Sequence, residues 1–299
     1  MAPVGSAPSR ARPASRISVA RLCGPSPALD RRVHAFRRDL ADVALAGDYA
    51  AASYAKPARL SCVAARTMVR AAPRCDAGAG SELLRGEPFL AMEIGSEWAW
   101  GYCGADRYVG YVPAATVGPA IAPTHRVCAA SALLFATPDV RSAHLGELPL
   151  GALVSSHGRD GAFHRIDGGL VHDRHLAPIG TTLADPVDTA KLFLGSPYLW
   201  GGRTRWGIDC SGLVQMALGA AGMAAPRDSD MQFDALGQPV GEPRRGDLAF
   251  FPGHVGIMVD GENLLHANAY WMATVIEPLS TVIERSAGDG RPLTAFKRL

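Results

Sequence analysis

The sequence has few of the features that mark membrane, disordered or nucleic-acid-binding proteins. No apolar run approaches the roughly 20 residues that a helix needs to span a bilayer. The formal net charge is only +2, whereas nucleic-acid binding usually depends on a concentrated basic face. Aromatic residues amount to 7% and are spread thinly, so no platform for stacking bases is evident. We therefore expect neither a membrane nor a nucleic-acid partner, while 48% apolar residues are enough to build folded cores.

The beginning of the chain also lacks a secretory signal. A signal peptide needs about 7–15 consecutive apolar residues after its positive charge. The longest candidate run here, Ile17-Ser18-Val19-Ala20, is ended by Arg21. Because this region is rich in Arg, Ala, Ser and Pro, we expect residues 1–30 to form a disordered leader of a cytoplasmic protein. The alternative is that the true start lies elsewhere, in which case the protein would be periplasmic.

Paired cysteines are absent as well. None of the six cysteines lies in a CxxC pair, which argues against a structural zinc site and a thioredoxin-like motif. We expect no metal and no cofactor. Five cysteines are expected to be apolar filler or surface thiols: Cys23, Cys62, Cys75, Cys103 and Cys128. Cys210 has a different neighbourhood.

The first half of the chain contains short β-rich runs broken by Gly and Pro. These runs are Leu60–Ala64, Pro88–Ile94, Trp98–Cys103 and Tyr108–Pro113. Short strands separated by turn residues predict a small barrel, here over residues 57–122. Residues 31–56 precede it, and the spacing within "RRDLADVAL" (Arg37–Leu45) predicts a helical lead-in.

The following stretch repeats this pattern. The segments beginning "ARTMVRAAP" and "ASALLFATP" share an apolar strand, an Ala/Thr-Pro turn, an acidic-Leu pair and a closing Gly-apolar-Val strand. Two diverged copies of one barrel are therefore predicted, the second over residues 123–180. Glu87 of the first copy corresponds to Ala152 of the second, so the barrel itself does not require an acid at this turn.

Residues 181–299 form a third predicted unit. Asp185-Pro186 is a favourable N-cap and first-turn pair for a helix over Asp185–Leu194, because Asp accepts free amide hydrogens and Pro lacks one. A Gly-rich turn, a second helix and several strands follow. This order is typical of an α+β domain.

Cys210 lies where a loop gives way to the second of these helices. Residues Ser211 to Leu218 have helical spacing, and Gly222 offers a stop. The positive end of a helix favours a thiolate and lowers the pKa of a thiol there, which suits a nucleophile. The alternative is a buried structural cysteine.

Two histidines could supply the base that such a nucleophile needs. His254 opens the predicted strand His254–Val259, and His266 closes the predicted strand Asn263–Ala267. At corresponding ends of adjacent antiparallel strands they could lie side by side. A base and a residue that orients it would then stand next to the thiol. Either histidine alone could equally be structural.

Three blocks of this region, "DCSGLVQ", "GDLAFF…HVGIMV" and "LLHA", resemble the signature of NlpC-type cell-wall peptidases, a papain-like family. The similarity covers residues 183–299. It implies that Cys210 is the nucleophile, His254 the general base and His266 the orienting residue, with the Cys210 amide in the oxyanion hole. The implied fold class is α+β, with a papain-like NlpC-type catalytic domain preceded by two small all-β SH3-like barrels.

Two SH3-like domains ahead of the peptidase resemble a subgroup that cleaves the γ-D-glutamyl–meso-diaminopimelate bond of murein peptides. In that subgroup the first barrel closes one end of the cleft, so that only peptides with a free N-terminal L-Ala fit. The resemblance implies five substrate-binding residues: Asp209, Ser211, Ser229, Glu87 and Tyr108.

Among these residues, Asp209 and Glu87 would hold the substrate ammonium, because a buried charge needs a counter-charge. The alternatives are that Asp209 only caps the helix and that Glu87 faces water. The two serines could likewise be solvated helix-start residues, and Tyr111 could replace Tyr108.

The sequence thus predicts a monomeric cysteine peptidase that acts on released murein peptides such as L-Ala-γ-D-Glu-diaminopimelate, in cell-wall recycling. Alternatives are a general murein endopeptidase, an amidase, an acyltransferase or a transglutaminase-like enzyme with the same Cys-His-His site. A non-enzymatic binding module is disfavoured because both Cys210 and His254 are present. The third peptide residue, diaminopimelate or lysine, is left open.

Overall fold

The computed structural model describes residues 28–182 and 185–299. The predicted disordered leader lies outside these residues except for its last three, and so do Cys23 and Leu183. Within the described ranges, no helix is long and apolar enough to cross a membrane.

The segment before the first β-domain is not helical. It contains β1 (Leu40–Asp42), a 3-10 turn (Val43–Leu45) and β2 (Ser53–Ala55), which pairs in parallel with β1. The predicted helix over Arg37–Leu45 is wrong because Asp42 accepts a hydrogen bond from the Ala44 amide at 3.0 Å, a local bond that competes with a regular helix. Asp42 also accepts from Tyr102 Oη at 3.0 Å, which attaches this segment to the first β-domain.

The first β-domain is a single antiparallel sheet. Its strands are β3 (Ala58–Cys62), β4 (Arg66–Arg70), β5 (Ala79–Leu84), β6 (Pro88–Ile94), β7 (Trp98–Cys103), β8 (Val109–Pro113) and β9 (Val117–Pro119). Their order in the sheet is β5-β4-β8-β7-β6-β3-β9. The predictions for Pro88–Ile94 and Trp98–Cys103 coincide with β6 and β7. No pairing joins β5 to β9 in the described sheet, so hydrogen bonds do not close it into a barrel.

The second β-domain repeats this topology. Its strands are β10 (His125–Val127), β11 (Ser131–Phe135), β12 (His144–Pro149), β13 (Leu153–Val154), β14 (Arg159–Asp160), β15 (Phe163–Ile166), β16 (Gly169–His172) and β17 (Leu176–Pro178). They form two sheets, β12-β11-β16-β15-β14 and β13-β10-β17. Joined end to end, these reproduce the order of the first sheet, with the counterpart of β6 split into β13 and β14.

The turn that carries Glu87 is part of the repeat. The Glu87 amide donates to Leu84 O at 3.0 Å, and the Ala152 amide donates to Pro149 O at 3.1 Å. The backbone is therefore the same whether or not an acid is present. The predicted internal repeat, including the correspondence of Glu87 and Ala152, is confirmed.

The third domain packs helices against a six-stranded antiparallel sheet, as predicted for an α+β unit. Its elements are α1 (Pro186–Lys191), β18 (Arg203–Thr204), β19 (Gly207–Ile208), α2 (Cys210–Ala220), α3 (Ser229–Ala235), β20 (Gln238–Val240), β21 (Leu248–Phe251), β22 (His254–Met258), β23 (Asn263–Asn268), β24 (Ala273–Pro278), α4 (Leu279–Gly288) and β25 (Ala295–Arg298). The sheet order is β20-β25-β21-β22-β23-β24.

Helix starts and stops in this domain follow the signals in the sequence. Asp185 caps α1 by accepting from the Val187 amide at 2.7 Å, as predicted, although α1 ends at Lys191 rather than at Leu194. Helix α2 is buried on almost all sides between α1 and the strands β22 and β23. Gly222, with φ +84°, follows the end of α2, a conformation that suits glycine.

Candidate active site

Cys210 is the first residue of α2, and its position depends on the turn before it. Gly201 has φ +81°, and a Cβ there would lie 2.8 Å from Ala79 O of the first β-domain. A Cβ on Gly212 would lie 2.4 Å from Gly202 O. These glycines allow the loop, the helix start and the first β-domain to approach one another closely.

The Cys210 thiol is buried against the start of β22. The residue is only 6% exposed, and backbone amides of Val255 and Ser211 donate toward the sulfur. Burial, together with the charge of Asp209, raises the pKa of Cys210 to about 12. The expectation of a lowered thiol pKa is therefore wrong for the ligand-free protein, because desolvation outweighs the helix end. The Cys210 thiol is therefore uncharged at neutral pH.

His254 and His266 lie side by side on neighbouring strands, as predicted. His254 Nε2 and His266 Nδ1 are 2.8 Å apart, and the rings meet edge to face. Ile257 pairs with Leu265, so Gly256 lies opposite His266. A Cβ on Gly256 would lie 2.8 Å from Leu264 Cδ1 and 3.1 Å from His266 Cβ, so the glycine lets β22 lie close to side chains of β23.

A buried carboxylate continues this chain of contacts. Glu277, near the end of β24, has Oε2 at 2.8 Å from His266 Nε2. Arg285 of α4 donates to both Glu277 oxygens at 2.8 Å, and Trp271 also donates to the carboxylate. Sequence reasoning missed Glu277 and Arg285, because a Glu followed eight residues later by an Arg is no recognised motif.

The protonation states of this chain follow from its charges. Burial favours the neutral carboxyl of Glu277, but hydrogen bonds from Arg285, Trp271 and His266 outweigh it and lower its pKa to about 2. Burial lowers the pKa of His254 to about 3 and also lowers that of His266. At neutral pH, an ionised Glu277 therefore contacts a neutral His266, which in turn contacts a neutral His254.

Asp209, the predicted ammonium ligand next to Cys210, is fully occupied by protein donors. Arg227 binds both oxygens at 2.9 and 2.6 Å, and the amides of Gly212 and Gly201 each donate at 2.7 Å. Ser211 Oγ lies 3.0 Å from Arg227 Nη1 and belongs to the same network. The free carboxylate that the ammonium role requires is therefore not present. Asp209 caps α2 and holds Arg227, which is 1% exposed.

Glu87 is likewise paired. Arg203 donates to both of its oxygens at 2.9 and 3.0 Å, and the Leu84 amide donates at 2.9 Å. Glu87 lines a cavity of about 240 Å³ that also contacts the middle and end of α2 (Gln215, Gly219). The expectation of a free Glu87 carboxylate for an ammonium is replaced by an ion pair between the first β-domain and the third domain.

Tyr108 lies at the junction between the first β-domain and the third domain. Its Oη is 3.4 Å from Oδ2 of Asp228, the residue directly before Ser229 in the chain. Tyr111 instead accepts from Arg37 Nη1 at 3.2 Å, so Tyr108 is the tyrosine that faces the third domain. Ser229 begins α3 and lines a groove of about 220 Å³ together with Phe251–Gly253, the turn that precedes His254.

Comparisons with known proteins agree with this architecture. Residues 195–283 match the NlpC/P60 family, and residues 69–117 match the bacterial dipeptidyl-peptidase SH3 domain. A γ-D-glutamyl-L-lysine dipeptidyl-peptidase of Bacillus subtilis is 40% identical over 95 residues, 29% of this chain and 32% of that protein. A Bacillus cereus protein of the same name is 32% identical over 158 residues, 49% of this chain and 45% of that protein. The matches thus span a third to a half of these relatives.

A solved structure supports the fold over most of this chain. An NlpC/P60 family protein from Bacillus cereus superimposes with a TM-score of 0.68 over 81% of this chain and 99% of that one. Its sequence identity is 19%, so the similarity concerns the fold alone.

Proposed function

Because this chain carries an NlpC/P60 peptidase domain behind a bacterial SH3 domain, we propose that it is a cysteine peptidase that hydrolyses the γ-D-glutamyl–diamino acid bond of murein peptides. The observation that carries the proposal is the placement of Cys210 at the start of α2, against the strand that begins with His254. The printed names of the two Bacillus relatives support this choice of bond. The diamino acid would be meso-diaminopimelate or lysine.

In the proposed reaction, the Cys210 sulfur attacks the γ-carbonyl carbon of the D-glutamyl residue while His254 takes the thiol proton. Negative charge then develops on the carbonyl oxygen, near the Cys210 amide, which has no acceptor within its own helix turn. The C–N bond breaks, and the imidazolium returns its proton to the leaving amine of the diamino acid. A water molecule, deprotonated by His254, hydrolyses the thioester and releases L-Ala-γ-D-Glu.

This reaction does not need a preformed thiolate–imidazolium pair. The raised pKa of Cys210 and the lowered pKa of His254 both favour the neutral forms in the ligand-free protein. Proton transfer would therefore accompany the attack on the substrate, when the charge on sulfur is dispersed into the new bond.

We extend the proposal to a free N-terminal L-Ala, whose ammonium would bind where the first β-domain meets the third domain. Asp228 is the acid available there, since Asp209 and Glu87 are saturated by arginines. Arg32 and Tyr108 both bind Asp228 Oδ2, at 2.9 and 3.4 Å, and Oδ1 accepts no hydrogen bond from any described residue. Burial raises the pKa of Asp228, and an arriving ammonium would stabilise its ionised form.

A site that reads a free amine at a domain junction would exclude peptides still attached to a sugar. We therefore propose that the natural substrates are released murein peptides and that the enzyme serves their recycling. Tyr108, supplied by the first β-domain, makes that domain part of the substrate site in this proposal.

Mass spectrometry of the products tests the proposal directly. The protein is incubated with L-Ala-γ-D-Glu-meso-diaminopimelate and, separately, with L-Ala-γ-D-Glu-L-Lys. We expect L-Ala-γ-D-Glu and the free diamino acid from at least one peptide, and neither product with the Cys210→Ala variant. Cleavage only at the L-Ala–D-Glu bond, or turnover that survives in Cys210→Ala, would refute the proposed reaction.

A further inference from the structure

Glu277 has no contact with Cys210 in the described structure, yet four donor groups converge on it. Its residue surface is 7% exposed. It accepts from two Arg285 nitrogens and from His266 Nε2, all at 2.8 Å, and from Trp271. Arg285 is held in turn by stacking over Tyr270, with its guanidinium carbon 4.3 Å from the ring centroid.

We propose that Glu277, kept ionised by Arg285, is a positioning residue that fixes the tautomers of both histidines and so leaves the His254 Nδ1 lone pair available to the Cys210 thiol. This inference rests on the proposed cysteine chemistry of the site, but not on the identity of the substrate.

The position of each hydrogen follows from the carboxylate outward. An ionised carboxylate only accepts, so His266 Nε2 must carry a proton and donate to Glu277. A neutral His266 then has a lone pair on Nδ1 and must accept there. His254 Nε2, 2.8 Å away, is therefore the donor, and its other nitrogen is left without a proton. General-base catalysis requires this unprotonated nitrogen.

One neighbouring group competes with this arrangement, because Asn268 places a second donor beside His266 Nε2. Asn268 Oδ1 accepts from the Trp271 amide at 2.8 Å, which turns its NH₂ group toward His266 Nε2 at 3.0 Å. That nitrogen cannot accept from Asn268 while it donates to Glu277, and the ionic bond to Glu277 is the stronger of the two. Burial in the first place, and then the charges of His266, Arg291 and Arg285, disfavour protonation of His254 and lower its pKa.

The test compares Glu277→Gln with Glu284→Gln, the same chemical change at an exposed residue of α4. An amide at position 277 can donate to His266 Nε2 and reverse the chain, so that His254 Nδ1 becomes protonated. In an Asp–His–Ser triad, a comparable Asp→Asn change lowers kcat by about 10⁴. We expect at least about a 30-fold loss of kcat for Glu277→Gln, with KM within about threefold, because the substrate is not contacted. Glu284→Gln should match the wild type.

Two readouts separate this positioning role from a structural one. The first is the rate at which iodoacetamide alkylates Cys210 at neutral pH, measured on the Cys210 peptide by mass spectrometry; it should fall at least tenfold in Glu277→Gln. The second is the ¹⁵N NMR pattern of the histidines in the wild type, assigned with His254→Gln and His266→Gln. We expect a proton on Nε2 of both rings.

The outcomes discriminate clearly. A wild-type spectrum with the proton on His266 Nδ1 overturns the inference, even if Glu277→Gln fails to fold. Unchanged alkylation and unchanged kcat in a folded Glu277→Gln variant overturn it as well. Arg285→Lys, which keeps a cation beside Glu277, should retain the wild-type tautomers and more activity than Glu277→Gln. If the spectra and alkylation rates agree but neither murein peptide is cleaved, the substrate proposal fails and the positioning role stands.

Discussion

Arg227 binds both carboxylate oxygens of Asp209, the residue directly before Cys210, at 2.9 and 2.6 Å. Asp209 also caps α2, so the pair determines where the helix begins and therefore where the Cys210 sulfur lies. Both partners are buried, so if one of them is removed, water cannot reach and stabilise the charge of the other.

Replacing Arg227 with Met should therefore destabilise the fold strongly. Breaking one side of a buried pair typically costs about 3–5 kcal/mol, because an uncompensated charge stays in the interior. Urea unfolding followed by circular dichroism should show the loss, and Asp209→Asn combined with Arg227→Met should recover part of it. Arg141→Met, which breaks a similar two-bond pair with Asp139 on the surface, should leave the midpoint unchanged. Equal behaviour of the two arginine variants would contradict the role assigned to Arg227.

Replacing Cys210 with Ala or Ser should abolish peptide cleavage and leave the fold in place. Serine lacks the nucleophilicity of sulfur, and both side chains fit a site made for a small group. We expect less than about a thousandth of the wild-type rate, with an unchanged circular dichroism spectrum. The exposed Cys75 provides a matched control, since Cys75→Ala should keep full activity. Substantial cleavage by Cys210→Ala would place the nucleophile elsewhere.

Replacement of the two histidines should lower kcat/KM by different amounts. His254 accepts the proton in the proposed reaction, whereas His266 only orients it from 2.8 Å. His254→Ala should therefore lose nearly as much kcat/KM as Cys210→Ala, and His266→Ala should lose less. Steady-state kinetics on the γ-glutamyl peptide checks the order. A His254→Ala enzyme with full activity, or a reversed ranking, would show that the roles are assigned incorrectly.

How much of this site could be predicted from the sequence depends on the range of the contacts. The nucleophile at a helix start and the two histidines on adjacent strands follow from local periodicity, because turns and strand pairing fix them. The two β-domains could also be predicted, since both copies of the repeat share one sequence pattern. The consecutive glycines at residues 201 and 202 also predict a tight turn from the sequence.

What could not be predicted are the partners that tertiary folding brings to the acids. Arg227 lies 18 residues after Asp209 and Arg203 lies 116 residues after Glu87, and no spacing rule links such pairs. Both acids therefore looked free in the sequence. The lead-in failed for a local reason, since the Asp42 side chain bonds to a nearby amide and a 3-10 turn replaces the predicted helix.

Acid should weaken the fold through the buried histidines. His254 binds a proton near its ordinary pKa of 6.5 when unfolded but only near pH 3 when folded, so the unfolded state takes up the proton first as pH falls. Its contribution to stability is present above pH 6.5 and is lost progressively down to pH 3. The slope is about 1.4 kcal/mol per pH unit for one such group. His266, whose pKa is also lowered, acts in the same direction.

The pH experiment is urea unfolding at pH 7, 6 and 5 for the wild type and His254→Gln. The free energy of unfolding of the variant should decline less steeply by about 1.4 kcal/mol per unit below pH 6. His157→Gln is the control, because His157 is exposed and pairs only with Asp167 on the surface. Parallel slopes for the wild type and His254→Gln would mean that His254 is not held neutral.

The sharpest test of substrate choice is acetylation of the peptide N-terminus. If the ammonium binds at Asp228 beside Tyr108, the acetylated peptide loses the charge, adds bulk and leaves Asp228 Oδ1 without the ammonium. Sites built around one polar group can reject an analogue that lacks it by about 10⁴-fold. We expect at least about a hundredfold lower kcat/KM for the acetylated peptide, and equally poor cleavage of N-acetylmuramyl peptides.

Variants at the domain junction assign that discrimination to residues. Asp228→Asn should slow cleavage of the free peptide and leave the acetylated peptide nearly unchanged, which narrows the ratio between them. Tyr108→Phe should act in the same direction but less, since its Oη contact with Asp228 is long, at 3.4 Å. Tyr111→Phe, whose hydroxyl binds Arg37 instead, should keep the wild-type ratio. Equal rates on free and acetylated peptides would show that the N-terminus is not recognised, because no counter-charge at the junction would then be used, and a general murein endopeptidase would describe the protein better.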